Sequence, residues 1–476
     1  SAITVRLLIV KFKLHNVIWI LHRDLWRVGN LIKKIGLLIS LFATIGLVMG
    51  IDILEFKIDH MAVPSASEYI NISSNADLTK YEGSGTVEDP YIIRDIVIIN
   101  HTGNGIVISN TNAHILIKNC TIENPNGKYN RRFSKGVYIK NAKNIQINDC
   151  RLNGCEIFLE NAETCQIKRS SAPITVSNES RSSGLSNLKS QLKSQDCLIE
   201  GCKIDNGGLA FFEATNFIIK DCYLENGPII MEHPINFTFS NVTLLNSSLD
   251  IFSPSNVSFT GVNLIEPKIN LMFGLDGYPL EIKNSTVNGL NIYYYKNKHG
   301  IKIRNLKAGY IWLANCTKAE LNKTESLGIF LLRSNNSVIE NSKVNDVGHG
   351  ILLSLSENCI MENVSLPNSR KGITIGYGSD NTTLNQSFIK SETIGVDIYS
   401  NRNKITNNLI TDSYIGISLF GSNSTIMQNT LINNSIGIDA KVSNSIEHNN
   451  LSYNLIDVKR DGIGMNNHIG LEDNIS

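Results

Sequence analysis

The chain has 476 residues, 42% of them hydrophobic, with 44 Lys and Arg against 43 Asp and Glu and a formal net charge of +1. Such balance gives no bulk attraction for nucleic acid or for an acidic polymer. Its length would ordinarily mean two or three globular domains, unless one repetitive rod uses all of it.

Residues 1–60 read as a basic segment followed by a membrane anchor or signal. Lys11, Lys13, Arg23, Arg27, Lys33 and Lys34 precede Ile35–Ile51, a run of 17 residues without a charge. As a helix this run spans about 26 Å, close to the ~30 Å hydrocarbon core. Basic residues lie before it and Asp52, Glu55 and Asp59 after it, which places the C-terminal body outside the membrane. No small-x-small cleavage site follows directly, so the run is read as an uncleaved helical anchor; if it is cleaved, the body is secreted.

Residues 61–82 are a polar stalk in this reading. Residues 83–104 form an N-terminal cap, with Gly83, Gly85 and Pro90 marking a turn before a strong strand run at Tyr91–Ile99. Residues 105–476 are a solenoid, clearest at 395–457. There GVDIYSNRNKITNNLITDSYI, GISLFGSNSTIMQNTLINNSI and GIDAKVSNSIEHNNLSYNLI repeat one pattern every 21 residues or so. Two short alternating apolar runs per repeat, separated by Asn, Ser and Gly, are strands and not helices. A unit this short closes no core alone and must stack on its neighbours. The fold class is therefore all-β, a single-stranded parallel β-helix of about sixteen coils, roughly 75 Å long at ~4.8 Å per coil. Parallel crossovers make it right-handed. A Ser- and Asn-rich insertion at 171–196 interrupts one coil.

One inward column tests the register. It holds Cys120, Cys150, Ser170, Cys202, Cys222, Val242, Val262 and Ser285, then Leu306, Thr324, Ser342, Val364, Ser387, Asn408, Asn429 and Asn449. The last three predict a ladder of side-chain amides along the axis. Four of the nine cysteines share this column and read as small buried hydrophobes; disulfides between adjacent coils are the other reading.

Aromatic residues give the sharpest local anomaly. With Ile292, Tyr294, Ile311 and Leu313 inward, Tyr293, Tyr295, Tyr310 and Trp312 fall outward on adjacent coils, a row suited to stacking on sugar rings or to a protein interface. Sequons at Asn71, Asn236, Asn256, Asn284, Asn322, Asn381 and Asn423 are candidate glycan acceptors, while Asn119 falls too close to the core. Glu156, Glu160 and Glu163, or Glu213, Asp221 and Glu225, offer carboxylates at general acid–base spacing without forming an assignable pair.

Gly83–Ile93, together with the coils at 105–124, 351–361 and 395–457, resembles the NosD-like right-handed parallel β-helix repeat proteins of the pectin-lyase-like superfamily. The resemblance covers most of residues 80–457. It implies three kinds of role: periplasmic copper-site maturation, carbohydrate binding or cleavage, and surface proteins of other function. β-Helix polysaccharide hydrolases use paired Asp residues and a Gly-His-Gly; Gly348-His349-Gly350 is present, but no Asp pair precedes it at coil spacing. Copper would want clustered Met, Cys or His, and these are scattered here. The expectation is an exported, membrane-anchored envelope protein, non-enzymatic, with a face for carbohydrate or protein. It needs no cofactor and no nucleic acid. A carbohydrate-active enzyme and a copper-site maturation factor are the alternatives.

Overall fold

Apolar residues at alternate positions put one face of each short strand inside the coil, and in-register pairing with the next coil turns those positions into continuous apolar columns. The structure, a computed structural model, describes residues 69–99, 103–124, 134–177, 194–205, 207–267, 280–345, 348–460 and 468–469. The basic N-terminal segment and the hydrophobic run at 35–51 lie outside the described residues. Among the described residues, no helix is long and apolar enough to cross a membrane.

The strands stack as a parallel β-helix of about sixteen turns. Its first part has an eight-stranded sheet, a nine-stranded sheet and a third face made of three- and six-stranded sheets. Its second part has a thirteen-stranded and a nine-stranded sheet. The change comes from long strands such as Ser365–Ile375 and Phe388–Ile398, which run around a corner that separate strands make earlier. The repeat glycine sits at that corner. A Cβ on Gly395 would lie 2.6 Å from the Gly416 carbonyl oxygen and 2.6 Å from Ile410 Cγ2, so a side chain there forces the coil open.

The inward column is where the repeat places it. Every member is buried except Leu306, which is half-buried against the core. The amide ladder is formed: Asn408 Nδ2 donates to Asn429 Oδ1 at 2.9 Å and Asn429 Nδ2 to Asn449 Oδ1 at 3.0 Å. Each Nδ2 also donates to a backbone carbonyl, of Leu384, Ile405 and Ile426 in turn. The Asn-rich turns have a second cause. Asn110, Asn141, Asn216, Asn236 and many others hold positive φ, a conformation Asn accepts more readily than most residues.

Three boundaries differ from those read in the sequence. The rod begins upstream of residue 83: Ile70–Ile72, placed in the stalk, is a strand paired in parallel with Ile106–Ser109, and Leu78 is buried in the core. The alternation I-x-I was short enough to pass for stalk. Ile174–Ser177, placed in the 171–196 insertion, is likewise a strand, paired with Cys155–Glu160 and Leu209–Phe212. Residues 178–193 of that insertion lie outside the described residues. Finally, the apolar interior is two cores. The first runs from Ile72 to Val287 and includes Tyr310, Trp312 and Phe330; the second runs from Ile303 to Leu451. At their junction Thr286–Val287 and Leu290–Asn291 pair antiparallel, which breaks the parallel stacking.

Candidate functional site

The junction decides the fate of the four rings read as an outward row. Tyr293–Lys296 pairs with Lys307–Ala314 so that Tyr293 lies opposite Ile311, Tyr294 opposite Trp312 and Tyr295 opposite Leu313. This register is one residue away from the one read in the sequence, and a one-residue slip exchanges the two faces of a strand. Tyr293 and Tyr295 therefore pack half-buried against the second core. Tyr310 is 1% and Trp312 8% exposed; both belong to the first core, where they meet Phe330 at centroid distances of 5.3 and 5.2 Å. Together with Leu249, Phe259 and Val262 they line a small apolar cavity of about 30 Å³ at the end of that core. These rings close a core. They offer no exposed row.

An exposed row does exist, one sheet edge further on. Tyr377, Tyr399 and Phe420 stand on successive coils, since Leu355 N donates to the Tyr377 carbonyl, Tyr399 N to Ile375 and Phe420 N to Ile398. Ring centroids are 5.3 and 5.0 Å apart, and the Tyr399 and Phe420 planes differ by 1°. Tyr377 is 59% and Phe420 45% exposed, and Tyr399 between them is half-buried. Tyr399 and Phe420 each follow a paired strand residue, Ile398 and Leu419, so the ~4.8 Å step between coils brings them to stacking distance, while Tyr377 stands one position later in its coil.

Polar groups line the strand beside this row. Thr374, Asp397, Ser418 and Asp439 lie in register across four coils, all buried although they sit on the opposite strand face from the apolar column Ile373, Val396, Ile417 and Ile438. Asp397 has no exposed surface, and its Oδ2 is 2.6 Å from Lys371 Nζ. Lys371 Nζ also lies 5.8 Å from the Tyr399 ring centroid. Asp439 Oδ1 is 3.0 Å from Lys441 Nζ. Burial, and then the Asp397 carboxylate, push the Tyr399 phenol up to about 12. His349 lies opposite Lys371 on the next coil; burial first, then Lys371 and Arg370, hold its imidazole below the ordinary value of 6.5. Among the described residues Thr374 Oγ1 and Ser354 Oγ are buried with no hydrogen-bond partner, and native interiors leave few such groups unsatisfied. The ring faces reach solvent, whereas the acids and hydroxyls of the strand are closed off from it. The C–H face of a pyranose ring is complementary to such exposed rings.

Gly348-His349-Gly350 reaches this region through His349; Gly350 is the corner glycine, whose Cβ would lie 2.4 Å from Leu366 Cδ2. A second titratable group forms on the outer face of the first sheet, from the region that also supplies Glu156 and Glu160. Tyr138 donates its hydroxyl to Glu160, Lys140 Nζ lies 2.9 Å from the same carboxylate, and Thr175 donates to Glu156 at 2.7 Å. Lys135 Nζ sits 3.7 Å from the Tyr138 ring centroid and 4.0 Å from that of Phe158. Burial raises the Glu156 carboxyl, whereas at Glu160 burial is outweighed by the bonds from Tyr138 and Lys140. Each carboxylate already has its partner, so the group reads as a tie between coils. Glu163 lies apart from this group, its backbone in parallel β-bridges with Lys143 and Gln195. Asp221 accepts from Asn241, and the Tyr223 hydroxyl donates to Glu225. Among the described residues no three His, Cys, Asp or Glu side chains are grouped to hold a metal ion.

Of the sequon asparagines, Asn71, Asn236, Asn256, Asn284, Asn381 and Asn423 are exposed and Asn322 is half-buried; Asn119, expected near the core, is also exposed. Several already use the amide nitrogen. Asn236 donates to Asn216, Asn256 to Asn236, Asn381 to Asn358 and Asn322 to Glu340. Composition hid this: the same residue that makes a sequon also makes a turn ladder.

Residues 268–468, which include the exposed row and its polar strand, match the family model described as periplasmic copper-binding protein (NosD). No curated protein matches the chain. Among solved structures it is similar to tailspike protein 3 of bacteriophage CBA120, at 10% identity over 81% of this chain and 53% of that one, with a TM-score of 0.25. The chain thus spans about half the length of that tailspike. It is also similar to the periplasmic alginate epimerase AlgG (11% identity, 84% and 83% covered, TM-score 0.20) and to PfbA, a surface adhesin of Streptococcus pneumoniae (11%, 71% and 80%, 0.26). At these identities the likeness extends to fold alone. The chain is a parallel β-helix, and its match to the NosD family model is confined to the second part of the rod.

Proposed function

We propose that this is an extracytoplasmic β-helix module that binds carbohydrate along the row Tyr377, Tyr399 and Phe420. The observation that carries the reading is a row of rings at coil spacing whose outer members, Tyr377 and Phe420, are exposed, with the half-buried Tyr399 stacked between them. Rings at coil spacing favour a polymer running along the rod axis, with one sugar unit over each coil. The family's description as periplasmic supports a body outside the cytoplasm, and the hydrophobic run at 35–51 is the segment that would anchor it.

A polysaccharide array probed with the purified protein, followed by product analysis on any ligand retained, tests this. Retention of an intact polymer by the wild type, with loss in Tyr399→Ala, supports the binding module. Depolymerised or epimerised product would replace it with an enzyme whose acid–base groups are Asp397, Tyr399 and His349. Retention unaffected by Tyr399→Ala would remove the row from the binding face.

A further inference from the structure

Six of the nine cysteines stand directly above one another in three pairs. The Arg151 amide donates to the Cys120 carbonyl, that of Leu198 to Cys165, and that of Tyr223 to Cys202, each at 2.9 Å. These bonds put Cys150 one coil after Cys120, Cys197 one after Cys165 and Cys222 one after Cys202. Coil spacing of about 4.8 Å falls within the 4.4–6.8 Å between α-carbons that disulfides span. Cys197 Sγ already reaches back to 3.4 Å from the Cys165 amide nitrogen. All nine thiols are reduced and buried in this structure.

Two features single these pairs out from chance stacking. Ser170 separates Cys150 from Cys202 in the shared column, with the Cys150 amide donating to Ser170 Oγ at 3.1 Å and the Lys203 amide to the Ser170 carbonyl at 3.3 Å. Each thiol therefore has one cysteine neighbour and no competing one. Of the three remaining cysteines, the Cys316 amide donates to Ser334 Oγ and Cys359 stands between Ser337 and Thr382, while Cys155 pairs in register with residue 134 of the preceding coil. The same column later holds Asn408, Asn429 and Asn449, whose amides tie coil to coil. In the first part of the rod serine hydroxyls and these stacked cysteines stand where the amides stand later, and Cys165 and Cys197 lie on either side of residues 171–196 in the sequence.

We propose that Cys120–Cys150, Cys165–Cys197 and Cys202–Cys222 are disulfide sites that staple adjacent coils as the chain folds in an oxidising compartment. Each closure removes two protons and two electrons from a pair of thiols; a disulfide oxidant such as glutathione disulfide accepts them and leaves as two thiols. Burial of the thiols in the finished rod means closure precedes or accompanies stacking. The biological setting rests on the extracytoplasmic placement proposed above, while the pairing itself does not.

Oxidising the protein in vitro keeps the two apart. The reduced, unfolded full-length chain is refolded in a buffer of glutathione and glutathione disulfide, quenched, alkylated under denaturing conditions and mapped by mass spectrometry. Three alkylated thiols are expected, Cys155, Cys316 and Cys359, with three cross-linked peptide pairs; Cys150→Ser should raise the count to four by freeing Cys120. A soluble β-sheet product with nine alkylatable thiols, or cross-links joining other cysteines, would overturn the proposal. If the refolded yield is poor, the same count is made on chain exported to a bacterial periplasm, with the same two outcomes deciding for or against the pairing.

Discussion

Asn429 hangs between two copies of its own environment. Its Oδ1 accepts from the Asn408 amide nitrogen at 3.0 Å and from Asn408 Nδ2 at 2.9 Å, while its Nδ2 donates to Asn449 Oδ1 and to the Ile405 carbonyl. Removing the side chain strands several buried groups at once, each costing about 1–3 kcal/mol. Asn429→Ala should therefore lower stability by at least ~2 kcal/mol in urea unfolding, whereas Asn256→Gly, in an exposed ladder and at a positive φ that glycine accepts, should stay within about 1 kcal/mol. Equal effects would mean the buried ladder is incidental. His349 supplies the pH dependence. Its imidazole is held neutral in the folded protein below the unfolded value of 6.5, so the unfolded chain takes up the proton first as pH falls. Stability from this source is complete above pH 6.5 and declines below it, toward the folded value. His349→Gln should flatten that acid limb of the stability profile; an unchanged limb would show that His349 titrates freely.

At the level of elements, the periodic parts of the rod were legible and the aperiodic part was not. G-I-x-L/I at fixed spacing located the corner glycines, and the column from Cys120 to Asn449 located the interior, because both follow from one coil stacking on the next. The junction obeys no such rule. Between Thr286 and Asn291 the chain doubles back in an antiparallel pair, and this reversal shifts the alternation of the tyrosines after it by one. Trp312 then reads as outward from its own strand, and it is outward there; what sequence periodicity cannot supply is that the end of another core covers it. The true exposed row was missed for a related reason. Tyr377, Tyr399 and Phe420 lie at turn positions of three separate coils, 21 or 22 residues apart, and only aligning the coils brings them together. The structure also gives a direct check on the junction. Trp312→Ala opens the end of the first core and should cost about 3–5 kcal/mol in the transition that reports that part of the rod. It should leave carbohydrate retention unchanged. Lost retention with full stability would return Trp312 to the binding face.

For the whole molecule, a solenoid distributes stability between neighbouring coils, so a functional face can be carried on one stretch while other stretches supply rigidity. Ties of three kinds recur along this rod: stacked thiols in the first part, amide ladders in the second, and the Tyr138–Glu160–Lys140 group on the outer face. They fix coil spacing, and fixed spacing is what makes three rings into a regular row. The central claim is that this row is the binding face. Its most direct test is a titration of the first polysaccharide retained on the array, by affinity electrophoresis or calorimetry, against wild type, Tyr399→Ala and Trp312→Ala matched for folded fraction. An aromatic stacking contact worth about 0.5–1.5 kcal/mol beyond its buried area predicts a loss of roughly tenfold or more in affinity for Tyr399→Ala and wild-type affinity for folded Trp312→Ala. Wild-type affinity in Tyr399→Ala would contradict the account.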